Sequence, residues 1–421
     1  MMIPEVGYMK RKKKYWIVLT VLVLLTGALA LVGLFPAACD WYTDHIYGHL
    51  CDGISRLTAL LPAALGELLM YLGILLLLFG LLLLILLIFL RRKAKFRRFC
   101  AGYFKTLLMM LVCLVLWYMP CWFIPFCGTV LGKGENTQRT EFTVKELGAV
   151  TAFAISGLNQ AAEEIEITPD GRIDFPDTAE YHAGIEAALL GISDEFPRLT
   201  GYYPPVKNAL CSDILKRMNI GGYNYPFTME PTHNKYLSPI WQPVLDAPEL
   251  AHHKGYYKEN EGNFISQIAL IQSDDPFLRF SGFYDMVQWT DAAWTESTDR
   301  QWEELQESGQ IQIPPLHDVP EESIKQALEM LSELWVELFG AVPPISDRAE
   351  QIVDIANNIR REIYEAEEHP IDDMPAVQEI IEDTAETGWK VQGEILQENS
   401  YDGVVLLLLQ YFDGKLFTEN E

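Results

Sequence analysis

Glu249 and His252 stand three residues apart in the segment Pro248-Glu249-Leu250-Ala251-His252-His253-Lys254-Gly255, followed by Glu259-Asn260-Glu261-Gly262-Asn263-Phe264. On a helix that spacing puts the carboxylate and the imidazole on one face. In His-Glu-x-x-His zinc sites two imidazoles four apart bind the metal, and the intervening Glu polarises the metal-bound water as general base. A third ligand arrives from a later helix. Glu249 and His252 occupy the places of base and second imidazole, with Glu261 nine residues further on. The place of the first imidazole holds Pro248, which has no side-chain donor atom. Glu-x-x-His alone is weakly specific. The same residues have a structural reading as a capping box, with Asp246 at N-cap, Pro248 in the first turn and Glu249 reaching back from N3. Two further histidines bear on the missing donor. His253 lies about 100° around the helix from His252 and faces away from a metal bound there; His233, in the preceding extended segment, meets no such angular objection.

The chain that must position these residues divides electrostatically. Of its 421 residues, those through Lys105 carry 13 Lys and Arg against 5 Asp and Glu, and the remainder carry 19 against 53. A net charge of −26 excludes binding to nucleic acid through phosphate neutralisation. Tyr15 to Phe35 and Leu68 to Leu90 are uncharged apolar runs of 21 and 23 residues, each long enough to cross a hydrocarbon layer of roughly 30 Å. A third run, from Thr106 to about Val130, is interrupted by Pro120 and Pro125, which are expected to kink it or end it early. Five Lys and Arg precede the first run, Arg56 alone lies between the first and second, and six follow the second. Because basic residues near a span stay in the cytoplasm, this alternation predicts a cytoplasmic residue 1–14 segment, a membrane domain over 15–132 with spans at about 15–35, 68–90 and 106–130, and an acidic extracytoplasmic domain over 133–421. Ala37-Ala38-Cys39 suggests a cleaved lipoprotein signal, but the apolar run exceeds the usual 7–15 residues and Pro36 takes the place of a branched apolar residue. The reading is therefore a multi-pass protein of the cell membrane.

After residue 132 a polar linker leads into helical periodicity over Phe142 to Ile167 and Ala179 to Leu190. Ile220 to Ile240, rich in Gly, Tyr, Thr and Pro, suits short strands. Helices are expected again to Gly255, over Glu259 to Gln272, and from Asp275 past Trp289, with long amphipathic helices across 320–368. Val404 to Phe412 is too short to span a bilayer and reads as a buried closing helix. The cysteines form no metal cluster; a disulfide among Cys39, Cys51, Cys121 and Cys127 and unpaired apolar thiols are both compatible with their spacing. Tyr202, Tyr203, Tyr223, Tyr225 and Phe227 either line a peptide cleft beside an edge strand or fill core and turns. Arg279 either buttresses the site helices or pairs with a nearby acid. Gly221-Gly222 lacks the Lys-Ser/Thr of a phosphate loop, and no Gly-x-Ser-x-Gly elbow occurs, which speaks against nucleotide binding and serine hydrolysis.

Beyond these local readings, a further set of stretches is ordered along the chain: Leu61-Pro62 to Gly66-Glu67-Leu68; Tyr203-Pro204-Pro205-Val206-Lys207; Gly221-Gly222-Tyr223 with Tyr225-Pro226-Phe227-Thr228-Met229-Glu230 and Asn234; Glu249-Leu250-Ala251-His252 with Gly255; Glu259-Asn260-Glu261 with Asn263-Phe264; Ser273-Asp274 with Phe280-Ser281-Gly282-Phe283; and the late Ser400-Tyr401-Asp402-Gly403-Val404-Val405. In these stretches, their order and their spacing the chain resembles the bacterial domain-of-unknown-function family 3810. Members of that family look like membrane-anchored metallopeptidases of the gluzincin kind. The resemblance implies an α+β, mainly helical fold, with three transmembrane helices before a zincin-like extracytoplasmic domain. It implies Glu249 as general base and His252 and Glu261 as metal ligands, Glu259 being the lesser candidate. Pro248 falls on the family's first His and Gly262 on its usual Ala. The expectation is a degenerate, zinc-metallopeptidase-like protein that binds zinc weakly or not at all, keeps a cleft for a peptide or protein partner, and contacts membrane lipid. An active zinc endopeptidase with a substitute first ligand and a structural or adhesive ectodomain are the alternatives.

Overall fold

The computed structural model describes residues 4–132, 139–311, 321–369, 374–375, 377–379, 381, 384 and 400–417. Most of the linker expected after residue 132, at 133–138, lies outside the described residues. Three helices, Lys13–Val32, Leu65–Leu90 and Ala94–Phe126, are long and apolar enough to cross a membrane. The first belongs to α1 (Pro4–Val32), which is followed by α2 (Pro36–Tyr42), a π-helical turn (Thr43–Tyr47) and α3 (Gly48–Thr58). The second is α4 (Leu65–Leu90) and the third begins with α5 (Ala94–Tyr118). Pro120 sits in a second π-helical turn (Met119–Phe123) and Pro125 in the single turn α6 (Ile124–Phe126), so the prolines change the winding of the third helix without ending it.

The rest of the chain is mainly helical around one small sheet. Thr143 with Glu146 and Asp177 with Glu180 form capping boxes that start α7 (Val144–Glu164) and α8 (Thr178–Gly191). Next come β1 (Lys207–Asn208), α9 (Ser212–Arg217), β2 (Gly222–Tyr225) and β3 (Glu230–His233). The strand order is β1-β3-β2, with β1 parallel and β2 antiparallel to β3, so Lys207 lies opposite Thr232 and Gly222 opposite His233. Five helices follow: α10 (Trp241–His253), α11 (Glu259–Ile271), α12 (Pro276–Glu307), α13 (Glu321–Phe339) and α14 (Asp347–Glu365). The last element is α15 (Ser400–Phe412). Leu158, Ile185, Leu250, Ile268, Leu278, Ile352 and Leu408 bring α7, α8, α10, α11, α12, α14 and α15 into one buried core. The apolar run near the carboxyl end is thus a packed helix, as its length implies. The cysteines are free thiols, with Cys39, Cys51, Cys100 and Cys121 buried.

The sheet is fastened to the apolar helices by two carboxylates. Glu230 on β3 accepts hydrogen bonds from the Leu65 and Gly66 amides at the start of α4, at 3.0 and 2.9 Å, and from Lys207 Nζ of β1 at 2.5 Å. In the reverse direction, Glu67 of α4 accepts from the Leu210 and Cys211 amides, both at 2.8 Å, and from Tyr71 at 2.6 Å. Amides in the first turn of a helix have no helical acceptor, so Glu230 satisfies donors that burial would otherwise strand. Lys207 Nζ completes its shell on the Thr58 carbonyl at 2.9 Å. Gly66 has no room for a Cβ, because the Tyr225 ring lies against it. Replacing Glu230 by Ala leaves the buried Lys207 charge unpaired and two amides bare, at an expected cost of about 3–5 kcal/mol. Thermal unfolding of the full-length protein measures it; a loss below about 1 kcal/mol, the range of an exposed pair, contradicts the clasp.

Candidate functional site

The helix α10 begins at Trp241, well before the start expected from the capping pattern, with Pro243 tolerated in its first turn. Asp246 therefore lies inside the helix and caps nothing. Its carboxylate is buried and binds His233 Nδ1 at 2.7 Å, while His233 Nε2 meets Asn208 Oδ1 at 2.9 Å. Burial opposes a charge on this ring and Asp246 outweighs burial, raising the His233 pKa. His233 thus serves as a hydrogen-bonded cross-link between β3, β1 and α10. Pro248 is buried in mid-helix, where it cannot donate the helical bond to the Val244 carbonyl.

The helix ends immediately after the two histidines. Gly255, at φ +94°, reverses the chain; its amide bonds the His252 carbonyl at 2.9 Å and the Tyr256 amide bonds the Ala251 carbonyl at 3.2 Å. A Cβ on Gly255 would also stand 2.7 Å from Thr43 Cγ2, so the position is closed to other residues twice over. The reversal brings Tyr256 O to 2.6 Å from His252 Nδ1 and leaves Nε2 directed toward Glu259 Oε2 of α11, 3.7 Å away. Gly262, one turn further along α11, underlies the ring: a Cβ there would approach His252 Cε1 to 2.6 Å. The absence of a side chain at 262 is therefore what admits the imidazole in this position.

Charge in this small space is strongly displaced. Burial opposes protonation of His252, but Glu259 and Glu249 outweigh it and lift its pKa to about 9. Glu259 moves the opposite way: burial raises it, and the His252 partner prevails and lowers it. Glu249 is pushed up to about 8, chiefly by burial, with His252 opposing and Glu259 and Asp246 adding. Its Oε2 is buried without a hydrogen-bond partner, and its Cγ lies 3.5 Å from where a Cβ on Gly222 of β2 would be. At neutral pH the group is a neutral acid, Glu249, beside the ion pair His252–Glu259.

The remaining sequence candidates lie apart from that pair. Glu261 turns to the connection from the third apolar helix, its Oε1 accepting the Leu131 amide at 2.8 Å. His253 points into α3, with Cys51 Sγ 3.4 Å from its Nδ1, and burial holds its pKa well below the usual value, so it is neutral. The angular argument from the helix wheel anticipates that separation. Among the described residues no three His, Cys, Asp or Glu side chains come together as metal ligands. The aromatic candidates disperse. Tyr203 is core and bonds the Leu199 carbonyl at 2.6 Å, Tyr202 lies under Arg56, and the Phe227 ring meets Tyr118 of α5. Tyr223 and Tyr225 on β2 stay together, their hydroxyls 2.9 Å apart. Arg279 pairs with Glu164 of α7 and bonds the Ser273 carbonyl, and Gly282 lets α12 approach Leu270 of α11.

These pKa values set a pH dependence. The folded chain holds the Glu249 proton more tightly than the unfolded chain, so this group's contribution to stability is lost as pH rises from about 4.5 through 8. The contribution of His252 is full below 6.5 and lost as pH rises through about 9. Glu249→Gln, which cannot ionise, is expected to gain melting temperature relative to the wild type progressively across the first window. A difference independent of pH contradicts a neutral Glu249.

No curated protein and no solved structure matches the chain. A family model described as "Protein of unknown function (DUF3810)" matches residues 42–340, a stretch that includes the clasp of Glu67, Lys207 and Glu230 as well as Glu249, His252 and Glu259. With that match extending over well more than half its length, the chain belongs to this family of unknown function.

Proposed function

We propose that the protein is a membrane-anchored, zinc-metallopeptidase-like protein of zincin-like form whose hydrolytic centre is degenerate, and that it retains a cleft for an extended peptide or a protein partner. The observation that carries this reading is Pro248, buried one helical turn before His252 in the place of a first metal ligand. Catalytic zinc is usually held by three protein ligands plus water. The pair that faces here is His252 Nε2 and Glu259 Oε2; Glu261 is engaged with Leu131, and a third donor does not join them among the described residues. A metal must also displace the His252 proton, and a pKa of about 9 makes that cost about 3 kcal/mol at pH 7. Zinc is accordingly bound weakly or not at all.

The cleft assignment rests on β2. It is an edge strand in the order β1-β3-β2, it passes over Glu249 at Gly222, and Asn224 in it has a buried side-chain amide without a partner. An extended segment can add to such an edge through main-chain hydrogen bonds, with a neutral Glu249 as an additional donor. The alternation of basic flanks supports a cytoplasmic amino terminus and an extracytoplasmic carboxyl-terminal domain.

Metal analysis of the purified full-length protein tests the central assignment. The expected result is well under one equivalent of zinc after equilibration with micromolar zinc and desalting. One equivalent, removable by a chelator and lost in His252→Ala, contradicts it and favours a working peptidase with a substitute ligand.

A further inference from the structure

The connection between the first and second apolar helices has three distinct sides. One side is buried: Thr43, Tyr47, Cys51, Ser55 and Thr58 recur at helical spacing and face the carboxyl-terminal domain. Tyr47 Oη meets Tyr257 Oη at 2.7 Å, Cys51 Sγ meets the His253 carbonyl at 3.1 Å, and Thr58 Oγ1 meets the Thr228 carbonyl at 3.1 Å. The second side is polar and also engaged: Asp44 pairs with Arg198 at 2.6 Å, Asp52 with Lys254 at 3.3 Å, and Arg56 lies over the Tyr202 ring. The third side carries Ile46, Leu57 and Leu60, which are 43, 70 and 79% exposed, with half-buried Leu50 between them. At 100° per residue Ile46, Leu50 and Leu57 fall within one narrow stripe, and Leu60 follows in the turn after α3, its amide on the Leu57 carbonyl at 3.3 Å.

An apolar stripe left open on a helix whose other two sides are satisfied requires an apolar neighbour. Its continuity with the spans names the neighbour. The segment leaves α1 through exposed Leu34 and Phe35 and enters α4 through exposed Leu61, so exposed apolar residues flank it where it joins both apolar helices. Aromatic side chains mark the same level. Trp117 Nε1 of α5 bonds the Phe227 carbonyl at 3.0 Å, Tyr118 stacks on Trp122, and Tyr42 of α2 bonds the Pro120 carbonyl at 3.0 Å. Trp and Tyr concentrate where hydrocarbon gives way to water.

From this we infer that residues 36–58 form an interfacial helix bedded in the lipid bilayer by Ile46, Leu50 and Leu57, with Leu60 of the turn that follows, a lipid-binding surface separate from the three spans. The inference rests on the reading that α1, α4 and α5 cross a membrane. Its occupant is phospholipid acyl chain at the boundary with the headgroups. The polar side faces away from the lipid and holds the 198–202 segment and Lys254, so the end of α10 is carried on a helix that the bilayer itself supports.

An environment-sensitive fluorescent amino acid placed at Leu57, Leu60 or His45 of the full-length protein, reconstituted in phosphatidylcholine vesicles, tests this. His45 is exposed, and at 100° per residue it falls between Asp52 and Arg56. With brominated acyl chains near the glycerol, quenching is expected at 57 and 60 and not at 45, and aqueous iodide is expected to show the reverse. A control label at Leu81, exposed in the middle of α4, reports whether the span lies in lipid. Iodide quenching at 57 and 60 equal to that at 45, with Leu81 quenched by deeply brominated chains, overturns the inference while leaving the spans in place. Protection of 57 and 60 from both quenchers also overturns it, because a protein surface then covers the stripe. Iodide quenching at Leu81 instead removes the membrane reading beneath it.

Discussion

Glu230 and Glu67 bind across the junction between the apolar helices and the rest of the chain, Glu230 of β3 holding the first amides of α4 and Glu67 of α4 holding the amides just after β1. Desolvating a carboxylate is costly unless its lone pairs find donors, and here each finds at least three. The consequence is positional. β3 is held at the start of α4, β2 is held by β3, and β2 lies directly over Glu249. A site on α10 is in this way referred to the apolar helices through two strands rather than through a flexible tether.

The second level of organisation is electrostatic. α10 and its neighbours bury the His233–Asp246 pair, set the buried His252 against the half-exposed Glu259, and keep a protonated carboxyl at Glu249. Asp246 and Glu249 are one turn apart, and Asp246 adds to burial in pushing the Glu249 pKa up. Asp246 is engaged by His233, and Glu249 keeps its proton. The imidazolium of His252 stands where the resemblance to zinc peptidases puts a metal-bound imidazole, and Gly262 provides the space its ring occupies.

How much of this is legible in the sequence depends on the range of the interaction. The apolar helices follow from long uncharged runs, the third continuing through Pro120 and Pro125 where an early end was one expectation, and α7 and α8 follow from helical periodicity, because every group involved lies within a few turns. The start of α10 is misread for the same reason: Asp246-x-x-Glu249 imitates a cap, whereas the true partner of Asp246 is His233, on a strand folded back over the helix. Lys207, Gly66-Glu67 and Glu230 stand out in the sequence only through the family resemblance. Their pairing joins segments more than 140 residues apart, which no periodicity encodes. Glu259 and Glu261 illustrate the limit within the site itself. Two residues of separation on a helix turn them about 200° apart, and only the direction of α11 decides that Glu259 meets His252 while Glu261 meets Leu131.

The central claim is that a proton, and not a metal, resides on His252 Nε2. Nitrogen-15 NMR of the full-length protein labelled at histidine, with His252→Asn to assign the signal, reads that atom directly. The account expects an imidazolium with both nitrogens protonated at pH 7.5 that loses its proton only near pH 9. A neutral ring at pH 7.5, or an Nε2 resonance displaced by metal coordination and insensitive to pH, would contradict it.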